Sequence, residues 1–512
     1  MKKVLSDHIQ KKKKLLPPLL AFAGEKHKSY SWTQDVMPGL IWIGLIQEMY
    51  GMHQGVDYIS RLAGAAFKIM REETKPFFCL IDSFSQLSEQ QKNELLKSID
   101  AEGFLGEIQK ALSGLFYFFP GSPLEFLNTD PSRLTNEQDA QILLNKIIPL
   151  LIDRYSRNST LVLSTGVYLG LNQGKIKIAT DKIDMAEKFA HIPFYPDTKK
   201  SQMAASSFRS MAFIFSNSGN ESKNEEQIKW TKFFWSQLSS QGICAVDYEM
   251  EMADVPYDDF GNVVVTFCNT AKTELAQRLE SWKFDLGKIE IYEVIGGLLA
   301  RQVTLATDIA MSPLMWNSHS APVLLRAMAD VHITLSWIFK DRYERSKQYI
   351  EHGIGGMKLE IAHRKRMIEE GNNDPELQHI VDVQENWLGS QRISDLVQVD
   401  LGNWSGLSVR KMAEESDCLD FYNYVYQPFS NAVHSSWSHI SMHNVQHCKN
   451  PVHCNHRIGV CFEVEPDVYW LHLAAKYLEK SYKKFDLETG VKIASFSAYE
   501  QLCDNLSSKS EE

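Results

Sequence analysis

Pro322–Lys340 reads PVLLRAMADVHITLSWIFK. Apolar residues occupy almost every direction around a helical projection of this segment, the pattern of a helix enclosed by others. Such a helix needs a bundle around it, so the stretch predicts an all-α fold for this part of the chain. Two charged residues interrupt it, Arg326 and Asp330, four apart and therefore on one face, where they can pair. Burying that pair is costly unless further hydrogen bonds complete its shell.

The segment best suited to supply them is Asp420–Ile440, DFYNYVYQPFSNAVHSSWSHI. Tyr422, Tyr426, Phe429, Val433, Trp437 and Ile440 recur at helical spacing and predict an apolar stripe facing a core. Beside it Asn423, Gln427, Ser430, His434 and Ser438 form a ladder of short hydrogen-bonding groups. Pro428 removes a backbone donor, so a kink or a fresh helix beginning near Gln427 is expected. Arg326, Asp330, Ser430 and His434 are thus the candidate site. Either they form a polar network that fixes how two helices register, or they make an anion or phosphodiester pocket. In the pocket reading Arg326 binds charge, His434 handles a proton and Asp330 orients one of them.

Beyond His439 the composition changes, with His443, His447, Cys448, His453, Cys454, His456 and Cys461 in close succession. Cys448, Cys454, His456 and Cys461 can supply the four N/S ligands that zinc takes tetrahedrally. The paired Cys-x-x-Cys knuckles of a specific zinc motif are missing, so free thiols and solvated histidines in a loop are the competing reading. A metal here would staple a loop too poor in apolar residues to hold itself.

Towards the amino terminus the chain reads as helices in series: Trp32–Tyr50, Val56–Met70, Leu87–Ile99, Phe104–Tyr117 and Asn136–Tyr155, then Ser201–Phe215. Phe77–Ile81 and Asn262–Phe267 are strand candidates or buried helix ends. Ser216–Glu226, SNSGNESKNEE, is too polar to order itself and marks a boundary. The predicted organisation is a helical N-terminal domain over 1–220 and a helical C-terminal bundle over 227–512 with a Cys/His-rich loop. Trp230, Phe233, Phe234 and Trp235 can bind a base or fill a core. Asp247, Glu249 and Glu251 can hold a cation or form a solvated acidic loop. Lys358, His363, Arg364, Lys365 and Arg366 can touch phosphates or form an exposed helix face.

The 512 residues carry a net charge of -10, with 44% apolar residues and eight cysteines that form no dense framework. That charge gives no global attraction for nucleic acid or anionic membrane, and the scattered cysteines predict a reducing, cytoplasmic setting. Leu15–Gly24 is broken by Pro17 and Pro18, so it makes a poor signal peptide, and no apolar run is long enough to span a bilayer. Phosphate-binding loops, dinucleotide fingerprints, nucleophile elbows and H-E-x-x-H are all missing, which removes support for the common nucleotide-driven and hydrolase chemistries.

LLRAMAD, DRYERSKQYIEHG, the segment from Gly406 to Ile440 and CKNPVHCNHR, in that order, resemble the bacterial domain-of-unknown-function family fifty-six seventy-seven over about 300–465. The resemblance implies an all-helical domain and shared residues at Arg326, Glu344, Arg410, Tyr426, Ser430 and His434. A more distant similarity is to the HEPN helical ribonucleases of toxin and phage-defence systems, whose signature is an arginine, four to six intervening residues and then a histidine. Arg326 to His332 and Arg345 to His352 obey that spacing, although chance alone supplies about as many pairs. SNAVHSS around His434 is HEPN-like in context, but Phe429 stands where the arginine is expected. Two functions follow. One is a host-defence or toxin-like effector acting on RNA as a ribonuclease-like hydrolase. The alternative is a non-catalytic sensor or scaffold that binds a protein partner or itself, with a purely structural polar cluster.

Overall fold

A computed structural model describes residues 7–12, 14–16, 31–70, 75–176, 191–199, 201, 225–246, 257–371, 374–391, 396–461, 464–493 and 497–509. The chain is predominantly α-helical and divides into two compact units. One comprises Met1–Asp247 and Gln446–Ile458, the other Tyr248–Val445 and Gly459–Glu512. All of the predicted helix Ser201–Phe215 except Ser201, and almost all of the predicted linker, lie outside the described residues, as do Asp247, Glu249 and Glu251.

The first unit is built on α1 (Met37–Ile69), whose residues Met37–Ile46 are all buried. Gly51, at φ 72°, breaks α1 into two rods, a backbone conformation that glycine adopts without penalty. Packed on it are α2 (Glu89–Ala101), α3 (Leu105–Phe118), α4 (Glu137–Ile152), α5 (Arg157–Asn172) and α6 (Glu225–Ser240). Their starts are set by side-chain caps, Ser88 with a reciprocal Gln91 bond before α2, Asn136 before α4 and Ser156 before α5. Buried tryptophans fasten loops and helices by their one polar atom, Trp42 Nε1 donating to Cys79 O at 2.8 Å and Trp230 Nε1 to Pro38 O at 2.8 Å. The aromatic group of α6 is core: Phe234 stacks on Phe119 at 5.1 Å. Phe77–Ile81 is a turn leading into a 3-10 helix, Ile81–Gln86, and not a strand.

The second unit contains α7 (Tyr257–Ser281), α8 (Ile289–Ala310), α9 (Ala321–Ile338), α10 (Arg342–Glu369), α11 (Pro375–Ser390), α12 (Val409–Glu415), α13 (Gln427–Val433), α14 (Trp437–His443), α15 (Tyr469–Thr489) and α16 (Ala498–Lys509). Asn262–Phe267, the other strand candidate, lies inside α7. α8, α9 and α15 pack on one another and enclose Leu299, Ala306, Leu325, Ile333 and Leu478. α9 coincides with the apolar segment Pro322–Lys340 to within two residues. A charged triad is also enclosed, Arg278 donating to Asp486 at 2.9 and 2.8 Å and to Glu274 at 3.3 Å, with Glu274 accepting from Ala498 N. Every formal charge there has a partner, the condition under which buried ions are tolerated. The strand content among the described residues is two small pairs, Ile9–Lys11 with Lys14–Leu16 and Val445–His447 with Arg457–Gly459.

Asp420–Ile440 departs from one continuous helix. Residues Tyr422–Tyr426 form a π turn, with Gln427 N–H reaching Tyr422 O, and α13 then begins at Gln427 as Pro428 predicts. A break follows at Ser435 (φ 48°) before α14. The expected apolar stripe therefore fails at its end: Val433 and Trp437 are exposed, Trp437 by 68%. No helix among the described residues is long and apolar enough to cross a membrane.

Candidate functional site

Arg326 projects from α9 toward the π turn and α13. Its Nη1 donates to Asp330 Oδ2 at 2.5 Å, its Nε to Ser430 Oγ at 2.9 Å and its Nη2 to the Tyr426 hydroxyl. The guanidinium also lies over the Tyr426 ring, 4.0 Å from its centre. Ser430 Oγ in turn donates to Tyr426 O at 2.8 Å. Burial pushes the Asp330 carboxyl above its ordinary range, and Arg326 pulls it back only in part. Three of the four predicted residues are thus joined, with Tyr426 added. His434 is not joined to them. It caps the end of α13, exposed, and its ring makes no hydrogen bond among the described residues. Of the other residues that the family resemblance singles out, Glu344 is exposed and Arg410 pairs on the surface with Glu414 at 3.4 Å.

Neither arginine–histidine pair forms a facing couple. His332 is buried and bonded to Ser481 Oγ at 3.0 Å, while its neighbour Arg326 serves the cluster above. Arg345 bonds to Trp337 O and stacks on that indole at 3.7 Å; His352 Nε2 lies 3.2 Å from Gly402 O. Asp330 and His352 nonetheless line one cavity of about 430 Å³ with Thr334, Tyr349 and Asn403.

A larger cavity, about 670 Å³, lies between α9, α15 and the segment from Ser416 to Val425. Lys476, Lys480, Lys483 and Lys484 stand along its wall, and His332, Ser336 and Cys418 also line it. Lys483 pairs with Glu479 at 3.1 Å and Lys484 with Glu488 at 2.7 Å; Lys476 and Lys480 have no acidic partner among the described residues. Ser336 Oγ is buried without a hydrogen-bond partner. Burial first, then Lys480 and Lys484, depress the His332 imidazole to about 3, so it is neutral at cellular pH. This cavity was missed in the sequence, although its lysines recur three or four apart on an amphipathic helix, AAKYLEKSYKK, a legible basic stripe.

In the first unit Cys244, Cys448 and His456 converge, their ligand atoms all within 4.8 Å of one another and Cys244 Sγ 3.4 Å from His456 Nε2. This group can hold a metal ion. Two of the predicted ligands, Cys448 and His456, are in it. Cys454 is near enough for Cys448 to raise its thiol further after burial has done so, whereas Cys461 is exposed and stands outside the group. Cys244 was not predicted, because a lone cysteine two hundred residues away carries no spacing signal. The backbone explains its presence: Lys449 N–H bonds to Ala245 O at 2.9 Å, and Asn450 Nδ2 to Gln241 O and Ile243 O at 3.3 and 3.2 Å. Gly242 (φ +81°) makes the turn, where a Cβ would sit 2.8 Å from Asn450 Nδ2.

The second unit is thus a helical bundle with two polar cavities. Residues 292–451 match the model of a family described as a family of unknown function, DUF5677. No curated protein and no solved structure matches the chain.

Proposed function

We propose that the C-terminal unit is the RNA-engaging part of a host-defence or toxin-like effector, and that it seats one or two nucleotides of single-stranded RNA in the lysine-walled cavity. The reading is carried by two lysines without acidic partners, Lys476 and Lys480, sharing a cavity with the unpartnered hydroxyl of Ser336. A phosphodiester answers both needs, since it neutralises the ammonium groups and accepts the hydroxyl proton. Phe421, Tyr477 and Tyr499 line the same space and offer ring surface to bases. Neutral His332 supplies hydrogen bonds and not a proton, so the activity in this reading is binding. The Arg326 cluster is then structural, because its donors are spent inside the protein.

A second reading, HEPN-like ribonuclease chemistry, is favoured by one observation, that Asp330 and His352 open into a common cavity. Fluorescence anisotropy with labelled single-stranded RNA separates the two. The Lys476→Ala/Lys480→Ala variant is expected to bind at least tenfold more weakly, with the salt dependence reduced by roughly 0.7 in slope per lost phosphate contact. Equal affinity for variant and wild type overturns the proposal. RNA fragments that disappear in Asp330→Asn but persist in the lysine variant establish the second reading instead.

We also infer zinc as the ion for Cys244, Cys448 and His456, with Cys454 as the fourth ligand, because two or three thiolates and an imidazole are the donor set zinc prefers. Elemental analysis of purified protein is expected to find close to one zinc per chain that Cys448→Ser removes; less than a tenth of a metal per chain ends the idea.

A further inference from the structure

His319, His439 and His443 are absorbed by neither proposal. His439 and His443 lie four apart on α14, one face of the helix, and His319 lies just ahead of α9. Their rings form a closed triangle, with centres 5.5 Å apart for His319 and His439, 5.3 Å for His319 and His443 and 4.8 Å for His439 and His443. All three are half-buried.

Three histidines in mutual contact are an unusual way to fill a surface. Three imidazoles grouped this closely present nitrogens that one divalent cation can share. The spacing fits. Zinc binds imidazole nitrogen at about 2.0–2.1 Å, and three rings on one tetrahedral ion have centres roughly 5 Å apart.

A further group orients the set. Ser318 Oγ lies 3.2 Å from His443 Nδ1, which leaves Nε2 of that ring for an ion, the outer-shell arrangement usual for a metal-bound histidine. The loop that carries Ser318 and His319 is itself fixed, since Asn317 Oδ1 accepts from the backbone N–H of both His319 and Ser320 at 2.9 Å. Unlike those of the Cys244 group, the nitrogens are not yet gathered: His319 meets the other two rings edge to face and His439 and His443 are tilted by 45°, so closing on an ion requires the rings to turn about their Cβ–Cγ bonds. That torsion is broad for histidine, and the movement is inexpensive.

We propose that His319, His439 and His443 form a second divalent-metal site, of zinc class, with three imidazole ligands and a fourth position open to solvent. Three imidazole ligands without a thiolate distinguish it from the cysteine group, where two thiolates and an imidazole converge. The site stands or falls without reference to RNA binding.

The test uses the full chain carrying Cys244→Ser and Cys448→Ser, stripped of metal by chelation and titrated calorimetrically with zinc chloride. One zinc per chain is expected, bound at least tenfold more weakly when His443→Ala or His439→Gln is added. Cobalt(II) in the same protein should give a spectrum of nitrogen and oxygen ligation without thiolate charge-transfer bands. Melting temperatures taken without metal keep misfolding apart from ligand loss. Should the double cysteine variant unfold, the same titration on otherwise wild-type protein is expected to fall from two zincs to one with His443→Ala. Uptake that is the same with and without His439 and His443, or no uptake beyond the cysteine group, overturns the proposal.

Discussion

Arg326 and the Lys476/Lys480 pair are cations of the same helical unit, and the fold treats them in opposite ways. Arg326 spends its donors on Asp330, Ser430 and Tyr426 and lies over a tyrosine ring. Lys476 and Lys480 line a cavity that Asp417 and Glu479 also line, yet neither forms an ion pair among the described residues, and Lys480 lies 5.3 Å over the Phe421 ring. A guanidinium with three of its five N–H donors bonded inside the protein contributes to stability and has few left for a ligand. An ammonium without an ion-pair partner contributes little to folding beyond its ring contact and gains most when an anion arrives. The difference separates a group that maintains the structure from a group that waits.

Five measurements sharpen or break that contrast. The largest effect is expected from acid. His332 titrates near 3 in the fold against 6.5 in the unfolded chain, so between those values the unfolded chain holds the extra proton. Its contribution is therefore intact at neutral pH and is lost on acidification by about 1.4 kcal/mol for each unit crossed. Denaturant melts at stepped pH should show this slope, and His332→Gln, which can keep the Ser481 bond, should flatten it. Next comes Arg326→Ala, which leaves a part-buried carboxylate unpaired; a loss of about 2–3 kcal/mol is expected, discounted from the fully buried case because Asp330 remains 36% exposed. Unaltered RNA affinity in that variant, once allowance is made for the folded fraction, would support the contrast, and abolished affinity would break it.

Tyr426→Phe removes one hydroxyl from the cluster and should cost about 1 kcal/mol in urea melts. The smallest change is predicted for His434→Ala, within about 0.5 kcal/mol of wild type, as for other exposed positions without partners. The lysine double variant belongs beside it: no loss of melting temperature is expected, and a marked fall would mean that the ammonium groups are structural after all.

Much of this was legible in the residues. An apolar helix at Pro322–Lys340 and a restart at Gln427 follow from periodicity and from one proline, and both are present. Arg326 meeting Asp330 and Ser430 also followed, because an i,i+4 pair in an apolar helix requires outside hydrogen bonds. His434 was read as continuing the ladder, and the ladder ends where Ser435 takes a positive φ, a local event that no side-chain pattern announces. Cys244 was invisible for a different reason. Metal groups assembled from distant segments depend on backbone pairing, here Lys449 with Ala245, which leaves no trace in composition. The basic stripe of α15 was written plainly, but it carries meaning only once a cavity lies in front of it.

The π turn at Tyr422–Tyr426 has its own consequence. It holds one residue more than an α-turn, and each residue rotates a helix by about 100°. Deleting the exposed Tyr424 would let the turn heal into ordinary helix and swing everything downstream around the axis, carrying Ser430 away from Arg326 with no change in either residue. What keeps the arginine's partners in place is the length of this segment as much as its chemistry, so an insertion or deletion here should be harsher than any single replacement.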